Sequence, residues 1–259
     1  MAKGASIKFQ SYEESIPRLL DLLKLQRELR KHEKIVLKSY LTNDSEKSVS
    51  KDFLEAVLKF CIDNKNPLTE VFIAEGADGS DTTELFDSLG YKKLAEKYSI
   101  GLIDLNEAET EEIENPNFTN FETIHYPQIL KESFVISLSK LAEDEELSML
   151  GSLSSMLGAF PAHHYKGFLS RGKNKIRKSP IKYSIHDIVH CKMPEFAVVD
   201  ASEQGLILAG LPIEIDKQSA KILGKHWQNI PHIKLIDETA SKLEEMQNKK
   251  QNALEVKTE

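Results

Sequence analysis

Five short apolar runs break into polar or charged residues at their C-terminal ends, and this pattern constrains the fold more than any other feature. They read IVLKSYLTN (35–43), VFIAEGADGSD (71–81), GLIDLNEAE (101–109), FVISLSKLAED (134–144) and FAVVDASEQG (196–205). Strands buried on both faces of a parallel or mixed sheet need continuous apolar runs of this length. Helical patterns lie between them. Phe53, Leu54, Val57, Leu58, Cys61 and Ile62 recur at helical spacing, and Asn64–Pro67 end the stretch. Ile16, Leu19, Leu20 and Leu23, widened by Leu22, Leu25 and Leu29, predict a helix from Ser15 to about Lys31. Ser15 would cap it, with Pro17 in the first turn. Asp81 and Glu84 fit a capping box for a helix through Leu89, closed by Gly90.

Later in the chain, Phe196–Val199 and Leu206–Ala209 read as a hairpin around Asp200–Gly205. Asp216–Gly224 reads as a short helix and His232–Ile236 as a last strand. The alternation predicts an α/β fold: a mostly parallel or mixed sheet with helices packed on its faces. One domain is expected over residues 1–238, followed by a polar C-terminal helix or disordered tail over 239–259.

Composition narrows the partners. A net charge of −7 disfavours non-specific nucleic-acid binding by the molecule as a whole. The two cysteines, Cys61 and Cys191, exclude a disulfide framework and a four-cysteine site made by this chain. No iron–sulfur cluster is therefore expected, and no other cofactor is indicated. There is no N-terminal apolar leader and no run of about 18 apolar residues, so the expectation is a cytoplasmic protein with no membrane partner.

Charge is segregated along the chain. Residues 104–122 hold seven acidic residues and no basic one, whereas 165–183 hold seven basic residues and no acidic one. Such runs are often solvated loops. Gly167, Ser170, Gly172 and Ser179 suit the basic stretch to fold as a lid over an anionic ligand. A third reading pairs the two stretches, within the chain or across a homodimer.

In open α/β sheets, ligands sit outside the carboxyl ends of the strands. Lys38, Lys140 and Asp200 lie at three inferred strand ends, where their side chains would converge if the strands are adjacent. Glu75 and Asp78 lie in the turn before the Asp81 cap; they are site candidates, or simply turn residues. His186 and His190 stand one turn apart, a workable metal pair with no third ligand identifiable; a packed helix is the plainer reading. Trp227, Tyr165, Phe168 and Tyr183 around the basic stretch raise single-strand stacking, against which stands the acidic total. Nucleic acid is disfavoured as a partner on that ground.

The order of these pieces resembles the family called domain of unknown function 362. The residues that carry the resemblance are Ile35–Leu41, Ala74-Glu75-Gly76, Gly90-Tyr91 and Asp104-Leu105, then Ile136–Lys140. Gly158–Pro161, His186, Val198-Val199-Asp200 and Ala220–Gly224 complete the series. The chain departs from the family at Ser39-Tyr40, Ser154-Ser155, Glu203–Gly205 and Leu211-Pro212, and lacks the cysteine segment many relatives carry. The resemblance implies a fold and a site location more than a reaction.

These readings combine into one expectation: a small anionic ligand held at the strand ends by Lys38, Glu75, Asp78, Lys140, Asp200 and His186, under the 165–183 lid. The protein could be a binding protein or an enzyme. The alternative is a non-catalytic interaction protein with a degenerate site, meeting a protein or nucleic-acid partner through the basic stretch.

Overall fold

The five apolar runs form the parallel part of one sheet, four of them inside it and Gly101–Asp104 at its edge. The computed structural model describes the backbone of residues 3–255 and the side chains of residues 3–246. In chain order the elements begin with β1 (Gly4–Lys8), α1 (Tyr12–Leu22), α2 (Gln26–Leu29), β2 (Lys34–Lys38), α3 (Lys51–Asn64) and β3 (Glu70–Glu75). Next come α4 (Thr82–Ser88), α5 (Tyr91–Tyr98), β4 (Gly101–Asp104), β5 (Thr110–Glu114), β6 (Thr123–Pro127) and α6 (Gln128–Glu132). The middle holds β7 (Phe134–Lys140), β8 (Ala142–Asp144), β9 (Ser148–Leu150) and α7 (Ala162–Tyr165). The chain continues through α8 (Ile181–Cys191), β10 (Phe196–Ala201), β11 (Leu206–Gly210), α9 (Pro212–Ile222) and α10 (Pro231–Glu255).

A seven-stranded sheet has the order β1-β11-β10-β7-β2-β3-β4. From β10 to β4 every pairing is parallel, while β11 runs antiparallel to β10 and β1 antiparallel to β11. The sheet is thus mixed, as the apolar runs imply. Small hairpins β5-β6 and β8-β9 stand apart from it.

Both faces are covered, which is why the central runs are apolar throughout. Val36, Ala74, Val135, Val199 and Leu208 meet Ile185 and Ile188 of α8, Ile215 of α9, and Ile233 and Ile236 of α10. Leu37, Ile73, Ile136, Leu138 and Val198 meet Ile16 and Leu19 of α1, Phe53 and Val57 of α3, and Leu94 of α5.

Three local expectations are corrected. The long first helix divides: α1 ends at Leu22, and Lys24 takes a left-handed φ of 58° before α2. Its cap is Ser11, whose hydroxyl accepts from Glu14 N at 3.3 Å, while Ser15 is buried and accepts from Gln10 N at 3.0 Å. Pro17 therefore falls inside the helix. His232–Ile236 is helix rather than strand: Pro231 opens α10, where it has no donor to waste, and His232, Ile233 and Ile236 share its buried side. The acidic stretch is not all loop, since Glu111, Glu112 and Glu114 lie on β5.

The N-terminal strand β1 is absent from the sequence reading, although Ala5 and Ile7 alternate as an edge strand requires. The tail expected over 239–259 is helical as far as Glu255, and residues 256–259 lie outside the described residues. Among the described residues, no helix is long and apolar enough to cross a membrane.

Candidate ligand site at the strand ends

The chain order of the strands marks one place on the sheet. From β2 the connections run outward through β3 to β4, and from β7 they run the other way through β10 to β11. Between β2 and β7 the neighbouring connections diverge, and at such a point the strand ends open into a crevice. Lys38 ends β2 there, in register with Ser137 of β7 and Ala74 of β3.

Lys38 is fully buried, and its Nζ donates to Glu75 Oε2 at 2.6 Å, Ser155 O at 2.5 Å and Ser39 O at 3.0 Å. All three ammonium protons are thereby used. Burial lowers the Lys38 pKa, opposed by the Glu75 charge; burial likewise raises Glu75, opposed by Lys38. Glu75 also accepts from Gly76 N at 3.0 Å.

The segment 151–159 closes over this pair. Ser155 Oγ meets Ser137 Oγ at 2.8 Å, tying the segment to β7. Gly158 lies against the charges: a Cβ there would overlap Glu75 Oε1 and stand 2.7 Å from Lys38 Nζ. Asp216 of α9 holds the segment's start, accepting from Ser152 N and Ser152 Oγ at 2.7 Å each and from Leu153 N at 2.9 Å. Burial pushes its carboxyl up to about 6 despite those donors.

From the other side comes the basic stretch. Lys173 is fully buried, and its Nζ donates to Gly76 O at 2.7 Å and Gly158 O at 3.2 Å. No ion pair among the described residues includes it. Burial drags its pKa down to about 8, opposed by Glu75 and Asp78. Its backbone N–H donates to Asp78 Oδ1 at 2.7 Å, and Asp78 Oδ2 receives Arg177 Nη1 at 2.6 Å. Arg177 Nε also meets Glu146 Oε1 at 2.9 Å. A cleft of about 170 Å³ opens here, walled by Tyr40, Glu75, Gly76, Asp78, Gly158 and Arg177. Burial raises the Tyr40 hydroxyl's pKa, keeping it neutral.

The expected site residues fall into three groups. Glu75 and Asp78 line this cleft, and Lys38 is buried beside it on Glu75. Lys140 and Asp200 face each other on β7 and β10, but Lys140 lies three residues beyond Ser137, so it points to the opposite face from Lys38. There Lys140 pairs with Glu203 at 2.7 Å, and Asp200 accepts from Tyr12 OH at 2.8 Å and Ser202 N at 2.9 Å. The convergence of Lys38 with Lys140 expected from the sequence does not occur.

His186 lies elsewhere, buried in α8. Its ring nitrogens meet Asp187 Oδ1 at 2.8 Å and Thr239 Oγ1 at 3.1 Å, leaving neither free for a metal. Asp187 accepts from the backbone N–H groups of Thr119, Asn120 and Phe121, so the pair pins that loop. Among the described residues, no cluster of three His, Cys, Asp or Glu side chains is placed to hold a metal.

No ion pair among the described residues joins the acidic and basic stretches; Glu111 pairs with Lys131 instead. Tyr165 is buried against Phe160 and Phe121, which removes one of the aromatics from a stacking surface. Lys173 is the residue that sequence reasoning missed. It was one cation among seven, flanked by Gly172 and Asn174, with no apolar neighbour to signal burial.

A family model described as "Domain of unknown function (DUF362)" matches residues 35–206. No curated protein matches the chain. Among solved structures, the lactate racemase apoprotein from Thermoanaerobacterium thermosaccharolyticum is similar in fold, with a TM-score of 0.55 at 15 % identity. The match covers 83 % of this chain and 56 % of the racemase, so this chain spans little more than half of that protein's length.

Proposed function

Given that the chain belongs to the domain of unknown function 362 family, we propose that it binds a small anionic ligand in the cleft at the strand ends, beneath the 165–183 segment. One observation carries this reading. Lys173 is a wholly buried ammonium with carbonyl partners and no carboxylate. Burying a cation without a carboxylate in contact is costly, and a bound anion would supply that contact. The carbonyls that hold Lys173 belong to Gly76 and Gly158, which also wall the cleft.

The other charges around it are paired with one another. Glu75 is matched by Lys38, Asp144 by Lys47, and Asp78 and Glu146 share Arg177. With Lys173 the set holds four carboxylates and four cations, and Lys173 is the cation with no carboxylate in contact. The 165–183 segment then acts as a lid that brings Arg177 into the cleft wall and Lys173 behind the Gly76 and Gly158 carbonyls. The Lys38–Glu75 pair beside it can take or give a proton, which would serve an enzyme; Lys140, Asp200 and His186 have no part in this cleft. The racemase's name refers to a small carboxylate, an analogy of fold that carries no substrate across.

A thermal-shift screen of phosphate, sulfate and short carboxylates tests the reading. At least one anion should raise the Tm of the wild type and leave that of Lys173→Met unchanged. Equal shifts in both proteins would sink it. Lys173→Met itself should fold with a stability within about 1 kcal/mol of the wild type, because an apolar side chain replaces an unpaired buried charge.

A further inference from the structure

A second hollow adjoins the strand-end cleft. It measures about 320 Å³ and is walled by Pro180, Ile181, Lys182, Tyr183, Pro231 and His232. Glu146 and Leu147 line both spaces, so the two share a boundary. Their chemistry differs. The first is walled by charged side chains, whereas the second presents two prolines, an isoleucine, a leucine and a tyrosine.

The walls of the second hollow are stiff. Pro180 precedes α8 as its cap residue and Pro231 begins α10, each with a fixed φ, and neither wall has to form when a ligand enters. His232 is the second pointer. It is buried, and its Nε2 has no partner among the described residues. A buried ring nitrogen without a partner is costly in an apolar wall. Lys182, whose ammonium sits 4.8 Å from the Tyr183 ring centroid, places a cation at the rim.

We infer that the ligand is amphipathic: an anionic head in the strand-end cleft and an apolar body that crosses Leu147 and lies against Ile181 and Tyr183. The inference rests on the anion site proposed above and adds the class of molecule that site takes. A compact anion such as phosphate would fill the first space and leave the second unused. A straight-chain or aromatic carboxylate would fill both.

The test is isothermal titration calorimetry of the full chain with acetate, butyrate, hexanoate and octanoate. In the wild type, affinity should rise about fourfold per added methylene once the chain passes the head-group cleft. Ile181→Ser and, separately, Tyr183→Ser should flatten the series while leaving the affinity for acetate and butyrate unchanged. Two variants separate loss of the apolar contact from loss of packing on α8. Lys173→Met should abolish binding of every member of the series. A flat series in the wild type, or an undiminished slope in both serine variants, would overturn the amphipathic ligand and leave the anion site standing. Binding of no carboxylate at any length, together with no phosphate or sulfate shift, would overturn both.

Discussion

At the scale of single residues, burial sets the chemistry. Burial lowers the pKa of Lys38 and raises that of Glu75, and each partner's charge opposes the other's shift. Removing one partner leaves the other buried alone. Lys38→Met should therefore cost about 3–5 kcal/mol in denaturant unfolding, and Lys38→Met with Glu75→Leu should recover much of that. An additive double variant would mean that the two side chains do not depend on each other. His232 gives a pH signature. Burial lowers its pKa to about 4 from an ordinary 6.5. Below pH 6.5 the unfolded chain takes up a proton that the folded chain refuses. Its contribution to stability is intact above pH 6.5 and falls as pH drops toward 4, by about 3 kcal/mol in all. Asp216, raised to about 6, works in the opposite sense: the folded state holds its proton more tightly, so its contribution falls as pH rises from about 4 to 6. The two slopes offset each other in the wild type. His232→Leu should expose the Asp216 slope, making the variant lose stability as pH rises from 4 to 6; a variant that tracks the wild type would contradict the assignment.

At the scale of elements, the segment 151–159 is positioned by α9 rather than by its own sequence. Three donors converge on Asp216, and the segment then delivers Ser155 O to Lys38 and Gly158 O to Lys173. Asp216→Ala would leave those donors buried and unmet, at about 1–3 kcal/mol for each one that stays dry. Hydrogen exchange at Ser152–Gly158 should accelerate in that variant before the sheet strands respond; uniform acceleration would mean that Asp216 supports the whole fold. Most elements were legible in the sequence because their signals are local. Apolar runs mark the central strands, and Asp81 with Glu84 marks the cap of α4, where Asp81 Oδ1 accepts from Glu84 N at 3.0 Å. The site was legible only in part. Lys38, Glu75 and Asp78 sit on a strand end and the turn that follows a strand, which pattern reveals. Whether Lys38 and Lys140 share a face depends on the register of β2 with β7, a non-local fact that no window of sequence holds. Lys173 becomes buried through Gly76, Asp78 and Gly158, all distant in the chain. His232–Ile236 could be read at either period, and the neighbouring helices α8 and α9 decided it.

At the scale of the whole molecule, the sheet's change of winding between β2 and β7 places a crevice, and the basic segment brings to it a buried cation with no carboxylate in contact. Burying an ammonium with no carboxylate in contact lowers stability, a cost that fits the anion site proposed above. The account turns on Lys173, and its most direct test is calorimetric titration of the best anion from the thermal-shift screen at pH 6.5 and pH 9.5. With a folded pKa of about 8, Lys173 is charged at the first pH and largely neutral at the second. The account predicts clear binding by the wild type at pH 6.5, at least tenfold weaker binding at pH 9.5, and none at either pH by Lys173→Met. Binding that is equal at both pH values, or that survives in Lys173→Met, would contradict it.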